Sequence, residues 1–150
     1  MRDRRVLIDT DAFIGWMVET DAHHPAALKA FAFVRQQRLE PMTIQPVIGE
    51  GLTLLSRRQG QAQARQFMQL VLALPAIAID DTLHQDTLAL FAEQRRKGTS
   101  YVDMANVAVM HRLDIPLILS FDKVYTRDFG LDNLSRVSES PPARTQESSM

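Results

Sequence analysis

The sequence predicts an α/β domain of three layers, in which a central parallel sheet of about five strands is flanked by helices. Short apolar segments alternate along the chain with longer amphipathic segments, and strands that are joined through helices pair in parallel. The apolar segments are brief and bounded by proline or polar residues, which is typical of strands buried on both faces of a sheet.

Five segments are predicted as strands. The first four are almost entirely apolar, and the fifth carries a weaker signal. In chain order they are RVLID (5–9), MTIQ (42–45), AIAI (76–79), PLILS (116–120) and LSRVS (134–138).

The segments between the strands are predicted as helices because their apolar residues recur every three or four positions. Pro46 suits the first turn of the third helix, where its missing N–H costs nothing. In chain order the helices cover residues 11–19, 24–37, 47–57, 61–74, 82–97 and 101–112, and a short helical segment, KVYTRDF (123–129), follows the fourth strand.

The length and composition predict one domain with a tail. The chain has 150 residues, which suits a single domain over residues 1–137. The segment SESPPARTQESSM (138–150) is rich in Ser, Glu and Pro, and we expect it to be a disordered tail. The absence of cysteine excludes disulfides and thiolate metal sites. The net charge of −1 argues against a strongly basic nucleic-acid-binding domain.

The apolar segments are too short to cross a bilayer, which takes about 20 residues. The start of the chain, MRDRRVLID, has no apolar region of the kind found in signal peptides. We therefore expect a cytoplasmic protein without membrane attachment.

Four acidic residues occupy related positions in the predicted fold. Asp9 ends the first strand, and Asp122 follows the fourth strand by two residues. Glu50 and Asp103 fall near the starts of helices that lead away from the sheet. Ligands of parallel sheets bind outside the carboxyl ends of the strands. We therefore expect the four carboxylates to meet at that edge.

Each acid also has a purely structural interpretation. Asp9 suits an Asx-turn, Asp122 suits the N-cap before KVYTRDF, and Asp11 is favoured as the N-cap of the first helix. Ser100 and Asp103 have the spacing of a capping box, and this interpretation of Asp103 is compatible with a role as a ligand.

Glu50 shares a helix face with apolar residues and lies between Gly49 and Gly51. Each glycine inside a helix costs about 1 kcal/mol relative to alanine. The pair predicts a close approach by another backbone or by a ligand. The structural alternative is a partly exposed glutamate that is stabilised near the start of its helix.

Clustered carboxylates raise one another's pKa, and a divalent cation relieves this repulsion. Oxygen ligands with retained waters favour Mg²⁺, or Mn²⁺, over Zn²⁺. The four histidines, His23, His24, His84 and His111, have no metal-ligand spacing, and we expect them at the surface.

Four segments together resemble PIN-domain ribonucleases, and in particular the VapC-like toxins of bacterial toxin–antitoxin pairs. The resemblance covers residues 4–137 and implies an Mg²⁺-dependent endoribonuclease in which Asp9, Glu50, Asp103 and Asp122 bind one or two Mg²⁺ directly or through water. The segments are VLIDTDAFIGW, TIQPVIGEGLTLL, SYVDMANVAVM and LILSFDKVY.

The resemblance also implies roles for neighbouring residues. Thr10 and Ser120 match hydroxyl residues that support the ligands or contact phosphate. Asp11 stands where Ser or Asn is more usual, and we expect it to act as an additional outer acid.

Cationic side chains around the acids are candidates for contacts with the RNA backbone. The candidates are Arg57, Arg58, Lys123 and Arg127, together with residues 95–97, for which a charge cluster at the C-terminal end of a helix is an equally good interpretation.

The resemblance further implies a cognate antitoxin that lies across the acids, and a homodimer or toxin–antitoxin hetero-oligomer. The amphipathic segments 11–19, 24–37 and 47–74 offer apolar surface for such a partner.

Two alternatives remain at the level of sequence. An apolar strand that ends in Asp-x-Asp is also similar to haloacid-dehalogenase-type phosphatases, with Asp9 as the nucleophile and Asp11 as the acid. The usual Gly-Thr is replaced by Ala12-Phe13. The second alternative is a PIN-like RNA-binding or scaffold module with little catalysis, although the presence of all four acids argues against it.

Overall fold

A parallel five-stranded sheet forms the centre of the protein, as seen in a computed structural model that describes residues 3–139. The strands are ordered β3-β2-β1-β4-β5, so that β1 is central. Their bounds are Arg5–Ile8 (β1), Glu40–Ile44 (β2), Ala76–Ile77 (β3), Leu117–Leu119 (β4) and Asp132–Asn133 (β5).

Eight helices connect and cover the strands in the described part of the chain. Their bounds are Thr10–Met17 (α1), His24–Gln36 (α2), Gln45–Gln59 (α3), Gln61–Leu72 (α4), Asp81–Ala92 (α5), Tyr101–Leu113 (α6), Val124–Phe129 (α7) and Leu134–Glu139 (α8).

The central strand is buried on both faces. Val6, Leu7 and Ile8 are each 0% exposed, and successive side chains of a strand point to opposite faces. Helices therefore cover both faces of the sheet, which confirms the predicted three-layer architecture. Leu7 pairs with Met42 of β2 and Ile118 of β4, and this register brings the carboxyl ends of the three strands to one edge.

The fifth strand was predicted in the wrong place. The segment LSRVS (134–138) lies in helix α8, and β5 is the two residues before it. The Asn133 side chain explains the turn into the helix, because its Oδ1 accepts hydrogen bonds from the backbone N–H of Ser135 and the Ser135 hydroxyl. Helix α8 continues to Glu139, beyond the expected domain end at 137, and residues 140–150 of the expected tail lie outside the described residues.

The predicted helix over residues 82–97 was too long. Helix α5 ends at Ala92, and residues 93–100 form turns and loop before α6. Residues 95–97 are therefore not a charge cluster in the last turn of a helix.

Helices α3 and α4 pack closely because Gly51 has no side chain. A Cβ at Gly51 would lie 2.6 Å from Cε2 of Phe67, which is a fully buried residue of α4. The sequence predicted a close approach to these glycines by a backbone or a ligand, but at Gly51 an aromatic ring makes the approach. At Gly49 an added Cβ would meet nothing within 4 Å. Along the described residues, no helix is both long and apolar enough to span a membrane.

Candidate active site

Asp9 lies at the carboxyl end of the central strand and is the N-cap of α1. Its side chain is buried, with 5% exposure. Oδ1 accepts hydrogen bonds from the Thr10 backbone N–H at 2.8 Å and from the Asn106 side-chain amide at 3.1 Å. Oδ2 accepts from the Ser120 hydroxyl at 2.8 Å and from the Tyr125 hydroxyl at 3.0 Å. Four donors from three separate parts of the chain therefore fix the Asp9 carboxylate.

A cleft of about 300 Å³ opens beside Asp9, and we call it the acidic cleft. All four predicted acids are among the residues that line it. The lining residues that carry carboxylates are Asp9, Asp11, Asp21, Glu50, Asp103 and Asp122.

Glu50 reaches the cleft from α3 and is half-buried. Its carboxylate makes no hydrogen bond or ion pair with the side chains that the structure describes, residues 3–136. Glu50 is therefore a partly exposed helix residue, as in its structural interpretation. It is also part of the wall of the cleft.

Asp103 combines a structural role with a position in the cleft. Its backbone N–H donates to the Ser100 hydroxyl at 3.0 Å, and its Oδ2 accepts from the Ser100 backbone N–H at 3.2 Å, which completes a capping box at the start of α6. Its Oδ1 is 3.3 Å from the Tyr125 hydroxyl. The cap therefore fixes Asp103 while one of its oxygens faces Tyr125.

The two remaining acids do not cap helices as predicted. Asp9, not Asp11, caps α1, and the carboxylate of Asp11 instead accepts the backbone N–H of Phe121 at 3.1 Å. Lys123, not Asp122, is the N-cap of α7, and Asp122 accepts the N–H of Val124 at 2.9 Å, two residues on. Both carboxylates thus organise the loop that follows β4.

The electrostatics of the cleft disfavour three negative charges. Burial, followed by the charge of Asp11, raises the pKa of Asp9 from 3.8 to about 8 despite its hydrogen-bond donors. Burial is also the main cause that raises the pKa of Asp11 to about 6 and raises the pKa of Asp103. No ion pair to these carboxylates is formed by any residue within 3–139, so a bound cation would relieve the repulsion.

The donor set fits a hard divalent cation, since the cleft offers carboxylate and hydroxyl oxygens and the chain has no cysteine. In this conformation, no three acidic or histidine side chains of the described residues stand at metal-ligand spacing. The four hydrogen bonds to Asp9 use the lone pairs of its carboxylate. Direct contact of Asp9 with a cation therefore requires the hydroxyl of Ser120 or Tyr125 to turn away.

Sequence reasoning missed two residues of the site, Asn106 and Tyr125. Both are 0% exposed, and the Asn106 amide donates to the Tyr125 hydroxyl at 3.0 Å as well as to Asp9. Asn106 had a signal, because it is the polar residue inside the otherwise apolar segment that follows Asp103. Tyr125 lies in a short mixed helix whose pattern singles out no residue.

The predicted hydroxyl residues lie at the cleft in different ways. Ser120 donates to Asp9 and accepts the backbone N–H of Asp122 at 3.0 Å. The Thr10 side chain also lines the cleft, and its buried hydroxyl has no hydrogen-bond partner among the described side chains, those of residues 3–136.

The predicted cationic residues lie in different environments. Arg58 lines the acidic cleft, whereas Arg57 is exposed and lines none of the clefts described here. Arg127 forms an ion pair with Asp128 at 2.9 Å, and Arg96 pairs with the same carboxylate at 3.4 Å. Lys123 makes no ion pair with a described residue.

Two of the four histidines are exposed at the surface, as predicted for all four. His23 and His111 are exposed, but His24 and His84 are half-buried. Nδ1 of His24 lies 2.8 Å from the carbonyl oxygen of Gly15, and Nδ1 of His84 lies 2.8 Å from the Tyr101 hydroxyl.

The phosphatase alternative is not favoured by this geometry. Asp11, the acid in that alternative, is held by the backbone N–H of Phe121 and organises the loop after β4, and Ala12-Phe13 stands where that class has Gly-Thr.

Two solved structures share the fold. VapC20 of Mycobacterium tuberculosis, a sarcin–ricin loop cleaving toxin, superposes with a TM-score of 0.73 and 22% identity, over 83% of this chain and 95% of that one. VapBC2 of Rickettsia felis, bound to a DNA fragment from their promoter, gives a TM-score of 0.65 and 11% identity, over 86% of this chain and 96% of that one. No curated protein sequence matches the chain. Residues 6–128 match the PIN domain family. The chain therefore belongs to the PIN domain family.

Proposed function

We propose that this chain is a metal-dependent endoribonuclease and the toxin of a toxin–antitoxin pair. One observation carries the proposal. In a PIN domain, carboxylates from the residue after β1, from α3, from α6 and from the loop after β4 line a single cleft at the carboxyl edge of the sheet. Asp9 and Asp11 in that cleft are largely buried, and no ion pair from residues 3–139 neutralises them.

The cation we infer is Mg²⁺, with Mn²⁺ as a substitute, and Asp9, Glu50, Asp103 and Asp122 would hold it. When bound, such an ion polarises the scissile phosphate, lowers the pKa of the attacking water and offsets charge on the leaving 3′ oxygen. The capping box holds Asp103 in place, which reduces the reorganisation that ligand binding requires at that residue. Asp9 reaches the cation directly once the Ser120 or Tyr125 hydroxyl turns away.

The surrounding side chains are suited to hold RNA by its phosphates. Arg58 lines the acidic cleft, and Arg127 lines a neighbouring cleft of about 450 Å³ that shares Asp103 and Asp122 with it. Lys123 lines a third cleft, which also includes Asp122. Contacts of this kind give salt-dependent affinity that is largely independent of RNA sequence. Arg57 is a weaker candidate because it is exposed and is not among the residues that line these clefts. Thr10 and Ser120 offer hydroxyls beside the carboxylates.

The biological role is inferred from the two structural relatives. VapC20 is described as a toxin that cleaves the sarcin–ricin loop, and VapBC2 was solved with promoter DNA. By analogy, this chain would cleave RNA and be restrained by a cognate antitoxin, as a homodimer or a toxin–antitoxin hetero-oligomer in the cytoplasm.

Apolar surface is available for such a partner. Leu28 of α2 and Leu72 of α4 are 46% and 71% exposed. Trp16, Met17 and Leu70 line a shallow surface pocket between α1 and α4. These residues fall within the amphipathic segments predicted to contact the antitoxin.

The function is tested by incubating the purified chain with labelled single-stranded RNA in the presence of Mg²⁺ or EDTA. We expect cleavage with Mg²⁺, products with 5′-phosphates, and a loss of at least about 100-fold in Asp9→Asn. Asp86→Asn is the matched control, because Asp86 is a surface residue of α5 paired with Arg112. Equal cleavage by Asp9→Asn and the wild type, or equal cleavage in EDTA, would refute the proposal.

A further inference from the structure

A second pocket adjoins the acidic cleft on the other side of the loop between β4 and α7, and we call it the β4–α7 pocket. Its volume is about 430 Å³. His23 and Asp122 line both the pocket and the acidic cleft, so the two spaces are adjacent. Phe121, Lys123, Thr126 and Arg136 also line the pocket.

A stacked pair of rings stands at the boundary between the two spaces. The imidazole of His23 and the ring of Phe121 are nearly parallel, with centroids 4.5 Å apart and planes 5° from each other. His23 is exposed and Phe121 is half-buried. Each ring covers one face of the other, so the exposed His23 leaves the outer face of the pair for a further ring. Single-stranded RNA bases stack on aromatic faces of this kind.

Both rings are anchored to the site. The backbone N–H of His23 donates to Asp21 at 2.8 Å, and its Cβ lies close to Gly15, where an added Cβ would be only 3.2 Å away. The backbone N–H of Phe121 donates to the Asp11 carboxylate at 3.1 Å. The backbone positions that carry the two rings are thus fixed relative to the acids.

The charge of the pocket differs from that of the acidic cleft. Lys123 brings positive charge to its lining, and Asp122 carries the one carboxylate that the described side chains place there. A nucleotide whose phosphate lies near Lys123 can place its base against the rings, because a base needs an apolar plane and a phosphate needs a cation.

We propose that the β4–α7 pocket binds the base of the nucleotide next to the scissile phosphate, stacked on the outer face of His23, which Phe121 supports from behind, with Lys123 at a backbone phosphate. This inference rests on the proposed ribonuclease function and extends it by assigning a base-binding subsite. It predicts that the protein prefers unpaired RNA at the cleavage point, since a base must leave its helical stack to reach the rings.

The first test uses the four ribonucleoside 5′-monophosphates as probes in EDTA, monitored through the aromatic NMR resonances of His23 and Phe121. At least one nucleotide should shift both sets of resonances. His23→Ala should weaken its binding about 5- to 100-fold, and His23→Tyr should retain it because the aromatic plane is kept. His111→Ala is the matched control, since His111 is an exposed histidine that meets Phe129 edge-on at 6.3 Å.

The second test compares cleavage of an RNA oligonucleotide with cleavage of the same RNA carrying an abasic nucleotide beside the scissile bond. His23→Ala should raise KM on the intact RNA and have no further effect on the abasic RNA. If RNA is cleaved but His23→Ala binds nucleotides as tightly as the wild type, the subsite is refuted and the ribonuclease proposal stands. If nucleotides bind as predicted but RNA is not cleaved, the ribonuclease proposal fails and the pocket remains a nucleotide site.

Discussion

At the scale of single residues, Asp9 is held by donors that are distant in sequence. Its partners Asn106, Ser120 and Tyr125 are separated from it by 97, 111 and 116 residues. The position of Asp9 could be predicted because it directly follows a buried apolar strand. The roles of Asn106 and Tyr125 could not, since contacts over such separations leave no local pattern.

The raised pKa of Asp9 predicts a dependence of stability on pH. The pKa is 3.8 in the unfolded chain and about 8 in the folded protein, so the unfolded state loses this proton first. The contribution to stability is fully present below pH 3.8 and is lost as the pH rises towards 8. In EDTA, the free energy of unfolding of the wild type should therefore fall with pH more steeply than that of Asp9→Asn, by up to about 1.4 kcal/mol per pH unit.

Urea unfolding of both proteins at a series of pH values between 4 and 8 measures this difference. Parallel pH profiles for the wild type and Asp9→Asn would show that Asp9 does not change its protonation on folding in this range.

The buried hydroxyl of Tyr125 predicts a second effect on stability. It links Asn106 to Asp9 and Asp103, so Tyr125→Phe leaves buried polar groups without a partner. We expect a loss of about 1–3 kcal/mol in the free energy of unfolding, measured by urea denaturation.

The second tyrosine of the chain provides the control. Tyr101 is half-buried and its hydroxyl contacts His84, so water can replace that hydrogen bond. Tyr101→Phe should cost less than about 1 kcal/mol. Equal losses in the two variants would mean that the Tyr125 hydroxyl is not an important part of the network.

At the scale of elements, the long amphipathic helices and the apolar strands were predictable, because burial imposes a regular spacing on their apolar residues. The fifth strand was not, since β5 has only two residues, Asp132 and Asn133, and these are too few to show a pattern. The segment after it resembled a strand by composition, yet hydrogen bonds to the Asn133 side chain begin a helix there. The end of α5 was also missed, because polar residues continue the helical composition beyond Ala92.

The two glycines of α3 predict opposite effects of the same substitution. A Cβ at Gly49 meets open space, so Gly49→Ala should stabilise the protein by up to about 1 kcal/mol through helix propensity. A Cβ at Gly51 would overlap the buried ring of Phe67 at 2.6 Å, so Gly51→Ala should destabilise it by about 1–3 kcal/mol.

Thermal or urea unfolding of the two variants measures these effects side by side. If Gly51→Ala were at least as stable as Gly49→Ala, the Phe67 ring would not pack tightly against Gly51.

At the scale of the whole molecule, the parallel sheet makes the site possible. Residues 9, 50, 103 and 122 are far apart in sequence, and they meet because the strands end at one edge and the helices that follow begin there. This convergence could be predicted from the order of the elements. The distances between the carboxylates could not, since they depend on side-chain contacts such as those of Asp9 with Ser120 and Tyr125.

The central claim is that these carboxylates together bind a divalent cation, and calorimetric titration of Mn²⁺ into the metal-free protein tests it most directly. We expect binding to the wild type and to Asp86→Asn, and affinities at least about tenfold weaker for Asp9→Asn and Glu50→Gln. Absence of binding to the wild type, or equal affinities for all four proteins, would contradict the claim.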